Sequence, residues 1–288
     1  LLLFFSMSCP FVSVVIPVHN DGDRLRLCLQ TLQDQSYSRY EIIVIDNNSS
    51  EDIHSICAKF DRVRYGQELK PGNNAARNRG IQLATGEIIA FTDADCIPDR
   101  DWISQSVAAL QNHPQAGIIG GTIQFFFQRN EPTRVEYADS ISYLRQWDYV
   151  TQEQYAAGAN LFTRRQVLDQ VGGFEERLLN LGDKEWGQRV DAAGWQVVFC
   201  PSAIVHHPAR STLKALLSKG RRQARASVKL AQLRGELRPQ ANFLPLGWTF
   251  WRAVWSDRNL PTLAQKLAFV WVIHRLKWAI VWELLLTP

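Results

Sequence analysis

Gly86–Pro98 reads GEIIAFTDADCIP, and the fold turns on how this stretch is parsed. Glu87–Thr92 is a run of strand length, apolar nearly throughout, which marks a strand covered on both faces, as in a parallel sheet. Asp93 and Asp95 stand at its carboxyl end, and Cys96-Ile97-Pro98 follows at once, leaving little room for a helix cap. Burying two carboxylates there is costly without a compensating cation. The pair is therefore read as a place for a hard divalent ion, Mg2+ or Mn2+.

Working outward, Val12–Val18, Glu41–Asp46 and Gly117–Ile119 have the same strand character, and Asp23–Gln33 and Asn73–Ala84 carry helical spacing between them. Alternating strands and helices predict an α/β fold, a mainly parallel sheet flanked by helices. Ligands of such sheets bind beyond the carboxyl ends of the strands. Those ends are His19-Asn20-Asp21, Asp46-Asn47-Asn48 and Asp93-Ala94-Asp95. Glu131–Val150 is expected to be a helix and loop over that edge, its Tyr143, Trp147 and Tyr149 serving either ligand stacking or packing. Helices are expected at Arg164–Val171, closed by Gly172-Gly173, and at about Lys184–Ala193, with a strand at Trp195–Cys200 and a basic, helical chain beyond Pro201. Trp186 and Trp195 are read as core.

Two further D-x-D pairs, Asp21/Asp23 and Asp99/Asp101, precede helices and are read as caps. G-x-G-x-x-G after a strand and G-x-x-x-x-G-K-[ST] are both absent, so dehydrogenase and P-loop readings are weak. Phosphates bound here need a metal ion and basic side chains.

Five segments together resemble the family 2 glycosyltransferases: VSVVIPVHN (12–20), EIIVIDNNSSEDI (41–53), PGNNAARNRGI (71–81), GEIIAFTDADCIP (86–98) and GGFEERLLNLGDKEWGQRV (172–190). They occur in that family's order and cover roughly residues 10–210. The resemblance implies the GT-A fold, a nucleotide-diphospho-sugar donor, more often UDP-linked, a divalent cation, and inversion at the anomeric carbon. By position it puts Pro17, His19 and Asn20 at the nucleotide base and Asp46 on the base or ribose. It makes Arg77 a donor contact, puts Asp93 near the ribose or sugar, and makes Asp95 the more direct metal ligand. Asp183 falls at the general base, where a helix-capping role is the alternative. Gly182 replaces the acid that often precedes it, which keeps Glu185 as a second candidate. His207 is expected to close the metal or diphosphate site, with His206 as fallback. The acceptor implied is a hydroxyl of a glycan or lipid-linked saccharide of a cell envelope. A nucleotidyltransferase would instead carry a glycine-rich basic loop after the first strand, where this chain has the acidic HNDGDRL (19–25). A non-catalytic scaffold of the same fold is a third reading, opposed by the intact Asp93, Asp95 and Asp183.

The 288 residues suffice for one large α/β domain with an extension. Residues 1–199 hold 18 Lys+Arg and 25 Asp+Glu, net −7, whereas 200–288 hold 14 and 3, net +11. That split divides the chain into a catalytic domain, 8–207, and a basic, Trp-rich helical extension, 208–288. Residues 243–288 hold six of the ten tryptophans. Tryptophan with Lys and Arg suits an anionic membrane surface, while packing on protein is the other reading. Leu267–Ile273 gives seven clean apolar residues, far short of the roughly twenty of a span. The expected location is cytoplasmic, peripheral on the inner face of the membrane, and no nucleic-acid partner is expected. Five scattered cysteines without C-x-x-C exclude a disulfide framework and fit a reducing compartment. The single methionine, Met7, is read as the natural start, with residues 1–7 a non-native or disordered leader.

Overall fold

A computed structural model describes residues 9–129, 131–242 and 246–288. The leader at 1–7 lies outside them. In chain order the elements are β1 (Val12–Val18), α1 (Gly22–Gln33), β2 (Tyr40–Asp46), α2 (Ile53–Cys57), β3 (Val63–Gln67), α3 (Asn73–Leu83), β4 (Ile88–Phe91), β5 (Ile97–Pro98), α4 (Trp102–Asn112) and β6 (Ala116–Phe126). Then follow α5 (Arg134–Ser142), α6 (Gln146–Glu153), β7 (Leu161–Arg164), α7 (Arg165–Val171), α8 (Gly182–Ala192), β8 (Gln196–Pro208), α9 (Leu213–Arg234), α10 (Trp248–Ser256) and α11 (Leu263–Leu286). The chain forms two compact units, one of residues 1–124 with 146–207, the other of 125–145 with 208–288. Residues 125–145, left with the first domain by the sequence reading, thus group with the C-terminal helices.

The first unit is an eight-stranded sheet in the order β3-β2-β1-β4-β7-β6-β8-β5. β1 pairs in parallel with β2 and β4, and β2 in parallel with β3. β7 runs antiparallel to β4 and β6, and β5 antiparallel to β8. Every residue of β1, β2 and β4 is buried, as unbroken apolar runs require. Pro17 costs the ladder nothing. Val15 faces β4, its carbonyl accepting from Thr92, and Val18 faces β2, its carbonyl accepting from Asn47. Pro17 therefore faces the β4 side two residues beyond the last paired position, Val15 with Phe91.

Two readings of the sequence need correction. β8 does not stop at Cys200 but continues through Pro201 to Pro208. Proline removes one donor rather than the strand, Thr122 Oγ1 donates to its carbonyl at 2.9 Å, and the alternation continues with Ala203, Val205 and His207 buried. Asp99 and Asp101 do not cap through their side chains: Asp101 makes no capping bond and Asp99 accepts from His206 Nε2 at 2.8 Å. Asp21 likewise sits at the N-cap of α1 without a capping bond, and Glu51 Oε2 accepts from Gly22 N–H instead.

Asn160 fastens the antiparallel side. Fully buried, it donates through Nδ2 to the Thr122 and Ala203 carbonyls, both at 2.9 Å, and accepts from Trp102 Nε1 at 2.8 Å. β6, β8 and α4 are thereby held by one amide.

In the second unit α11 packs on α9 and α5, with Leu216, Phe269, Val272 and Leu276 at its core. Asp139, fully buried, accepts from Arg210 N–H at 2.9 Å and faces Arg210 Nη1 at 3.3 Å and Lys219 Nζ at 3.8 Å. Thr133 with Glu136 and Thr262 with Gln265 form capping boxes that start α5 and α11.

Asn160→Ala is expected to leave the buried Trp102 indole N–H and Ala203 carbonyl, and the half-buried Thr122 carbonyl, without their partner and to cost roughly 3 kcal/mol. Urea denaturation of native and variant chains measures it, through a fall in the unfolding midpoint.

Candidate active site

The carboxyl ends of β1, β2 and β4 come together, as parallel strands dictate. At the end of β1, His19 Nδ1 lies 2.8 Å from the Asn47 carbonyl, which can only accept, so Nδ1 carries the proton. Asn20 Oδ1 accepts from Ser50 N–H and Oγ–H, which fixes the amide and turns its Nδ2 toward His19 Nε2 at 3.2 Å. Both side chains are exposed. Asp46 ends β2 buried, accepting from Ser49 N–H at 2.9 Å and Tyr65 O–H at 3.2 Å. These two bonds leave carboxylate acceptor capacity for a ligand hydroxyl or N–H.

α3 supplies the connection to the rest of the site. Asn74, Arg77 and Asn78 share one helical face, as i, i+3 and i+4 do. Asn74 Nδ2 donates to the Glu175 and Leu178 carbonyls, and Asn78 bonds both the N–H and the carbonyl of Phe174. Arg77, 5% exposed, donates from Nη2 to Asp93 Oδ1 at 2.9 Å and lies over the Phe174 ring. Arg77, expected at the donor, is thus held against Asp93. Its Nε is buried and makes no hydrogen bond among the described residues.

The loop so anchored leads to α8, whose first turn carries both candidate bases. Asp183 Oδ2 accepts from Gly158 N–H at 3.1 Å and Oδ1 from Lys184 N–H at 2.9 Å. Glu185 is bound by Arg189 through two bonds, 2.6 and 3.0 Å. It lines a separate cleft of about 460 Å³ with Lys70, Glu175, Arg177 and Arg189, where the hydrogen bond from Arg177 pulls the Glu175 carboxyl down to about 2. The glycine at 182, where the family often has an acid, has a steric cause. A Cβ there would lie 2.0 Å from Asn74 Nδ2.

Asp95 lies 3.6 Å from His207 Nε2, beyond hydrogen-bond range, and 3.4 Å from Arg24. Ligands of one octahedral cation stand about 3 Å apart, so the separation is near what a shared ion requires. Cys96 shares the cluster, and burial, with Asp95 and Asp93 nearby, pushes its thiol well up. Asp21 is also raised, first by burial, with Arg24 opposing and Asp95, Glu51 and Asp23 adding to it. Such a crowd of acids beside a histidine suits a hard cation. His206 is turned away to Asp99.

Sequence reasoning gave no role to Asn47, Gly158 or Asn160. Asn47 donates to the Glu68 and Lys70 carbonyls and accepts from Gly72 N–H, tying β2 to the start of α3. A Cβ on Gly158 would lie 2.5 Å from Arg77 Cζ. Nothing in the local sequence marks either contact, because both partners are remote. Trp186 is fully buried, whereas Trp147 is exposed beside Phe199, and Tyr149 stacks on Tyr155 at 4.7 Å.

The parallel strands thus end in Asp46, Asp93 and Asp95, and the antiparallel continuation of the sheet brings His207 within 3.6 Å of Asp95. Residues 13–172 match the profile of Glycosyl transferase family 2. Glycosyltransferase AglE of Haloferax volcanii is 32% identical over 231 residues, 78% of this chain and 75% of AglE. The probable glycosyltransferase YdaM of Bacillus subtilis is 27% identical over 234 residues, 76% of this chain but 55% of YdaM. Mannosyltransferase PcManGT from Pyrobaculum calidifontis, solved in complex with GDP-Man and Mn2+, superposes with a TM-score of 0.64 at 19% identity, covering 93% of this chain and 74% of that one. S. aureus TarS superposes at 0.54 with 16% identity, over 74% of this chain and 39% of its own. At such identities these two structures speak for the fold. The chain belongs to glycosyl transferase family 2 and is a glycosyltransferase, which displaces the nucleotidyltransferase and scaffold readings.

Gly158→Ala is expected to push Arg77 off Asp93 and lower sugar transfer by about a hundredfold, the scale of an ångström-sized misplacement. Turnover measured beside circular dichroism checks it, with the spectrum unchanged.

Proposed function

We propose that the enzyme transfers a sugar, with inversion, from a nucleoside-diphosphate donor to a hydroxyl of a glycan or lipid-linked saccharide, and that Asp183 is the general base. The observation that carries the choice of base is the contrast in α8. Glu185 is neutralised by the Arg189 guanidinium, while main-chain N–H groups hold Asp183 and leave it lone pairs to accept a proton.

The acceptor oxygen attacks the anomeric carbon as the bond from that carbon to the diphosphate oxygen breaks on the opposite face. The hydroxyl proton passes to Asp183. No covalent nucleophile is needed. Pro17, His19 and Asn20 border the nucleotide base, Asp46 receives the base or ribose, and Asp93 faces the ribose or sugar. Arg77 acts as a positioning residue that fixes the Asp93 carboxylate. Asp95 and His207, with Asp93 alongside, would hold a divalent cation, which supplies Lewis-acid stabilisation of charge on the leaving diphosphate. The presence of GDP-Man and Mn2+ in the Pyrobaculum enzyme supports a nucleotide sugar with a cation. The family resemblance favours a UDP-linked donor, with GDP- and dTDP-linked sugars as the rivals.

Asp183→Asn is expected to lower transfer by about 10²–10⁴-fold without weakening donor binding, and Glu185→Gln to leave it within a few-fold. Full activity of Asp183→Asn with loss in Glu185→Gln would move the base to Glu185. In thermal denaturation, the right nucleotide sugar raises the melting temperature when Mn2+ is present. Asp95→Ala is expected to abolish the dependence of that rise on metal. A rise that survives excess chelator contradicts the cation site.

A further inference from the structure

α11 is apolar on both faces. One face is used: Phe269, Val272, Leu276 and Leu284 are buried against the unit's other helices. The opposite face carries Leu263, Leu267, Trp271, Trp278, Trp282, Leu285 and Leu286 at helical spacing, over about 36 Å of helix. Trp271 and Trp282 are 55% and 57% exposed, and Leu286 74%. Among side chains of α11 pointing that way, the ionisable ones are His274 and Arg275. A continuous exposed apolar stripe of this length marks a binding surface.

Charge indicates what covers it. The C-terminal unit holds 17 Lys+Arg and 6 Asp+Glu, net +11. Its acids are largely engaged within the unit: Asp139 by Arg210 and Lys219, Glu283 by Arg225, Asp257 by Tyr137 and Glu236 by Arg234. Lys214, Arg221, Arg222, Arg225 and Lys229 form an exposed basic face on α9, and the Arg225–Glu283 bridge joins that helix to α11. Arg275 lies over the Trp271 ring at 5.9 Å and Lys266 over Trp255 at 5.4 Å.

We propose that the outward face of α11 docks on an anionic lipid bilayer, lying in the plane of its interface. Tryptophans bearing cations are the side chains of the headgroup layer, apolar in the ring and polar at the edge. A second copy of the chain would bring two units of +11 together, whereas an anionic leaflet complements that charge. Among the described residues no helix is long and apolar enough to cross a membrane. By helical spacing Lys266, Lys277 and Glu283 fall off the outward face, which leaves the apolar stripe to meet the interface. The proposal is independent of the catalytic assignments.

Flotation of the full chain tests it, with vesicles of phosphatidylcholine alone and vesicles in which about a third of the lipid is anionic phosphatidylglycerol. The chain is expected to float with the anionic vesicles, with a blue shift of tryptophan emission, and to be released near 1 M salt, where the screening length falls to about 3 Å. Trp271→Ser combined with Trp282→Ser, both at exposed positions, is expected to cut the bound fraction at least tenfold with circular dichroism unchanged. Arg275→Glu is expected to cut it by about fivefold or more. Equal flotation with neutral vesicles, or native-like flotation of the tryptophan variant, overturns the proposal. So does a concentration-dependent dimer in light scattering that this variant abolishes.

Discussion

The ion pair between buried Arg77 and half-buried Asp93 is the contact on which the arrangement of the site depends. A guanidinium taken out of water needs a partner, and removing that partner would leave an uncompensated charge worth several kcal/mol. Asp93 is therefore fixed by the requirement of Arg77 as much as by its own strand. Gly158 makes room for the guanidinium, and Phe174 covers it from above. Phe174 in turn packs against Phe91 of β4 and Trp186 of α8, with ring centroids 5.2 Å apart in each case. One face of α3 thus sets the distance between the strand-end carboxylates and the first turn of α8, where Asp183 stands.

Much of this was legible in the sequence, and the reason is local. Strands buried on both faces announce themselves as apolar runs, so β1, β2 and β4 and the acids at their ends could be read directly. The edge strand β3, VRYGQ, is half-exposed and has no such signature. β8 runs through Pro201, whose missing N–H mimics a strand end in the sequence without ending the strand. The PGNNAARNRG motif was visible as a motif. Its work, two asparagines holding a remote loop and an arginine holding Asp93, depends on partners up to 104 residues away. The same holds for Gly182, whose missing side chain is explained by Asn74.

The charge asymmetry also takes a different form in three dimensions. Residues 125–145 carry as many acids as bases, so their grouping with the C-terminal helices leaves the net +11 of that unit unchanged. Inside it, Asp139 draws Arg210 and Lys219 inward, and Lys214, Arg221, Arg222, Arg225 and Lys229 line the outside of α9. In the first unit Asp46, Asp93 and Asp95 stand at strand ends, and burial, with Asp95 nearby, raises the Asp21 carboxyl.

The central claim is that Arg77 holds the strand-end carboxylates in the geometry that receives a nucleoside diphosphate. Calorimetric titration of UDP and GDP, with Mn2+ present, into the native chain and into Arg77→Lys tests it most directly. Lysine keeps the charge but loses the planar fork that reaches Asp93. The native chain should bind one of the two nucleotides, and the variant should bind it at least about tenfold more weakly, a loss of roughly 1.4 kcal/mol, while staying folded by circular dichroism. Equal affinity in a folded Arg77→Lys chain would contradict the account.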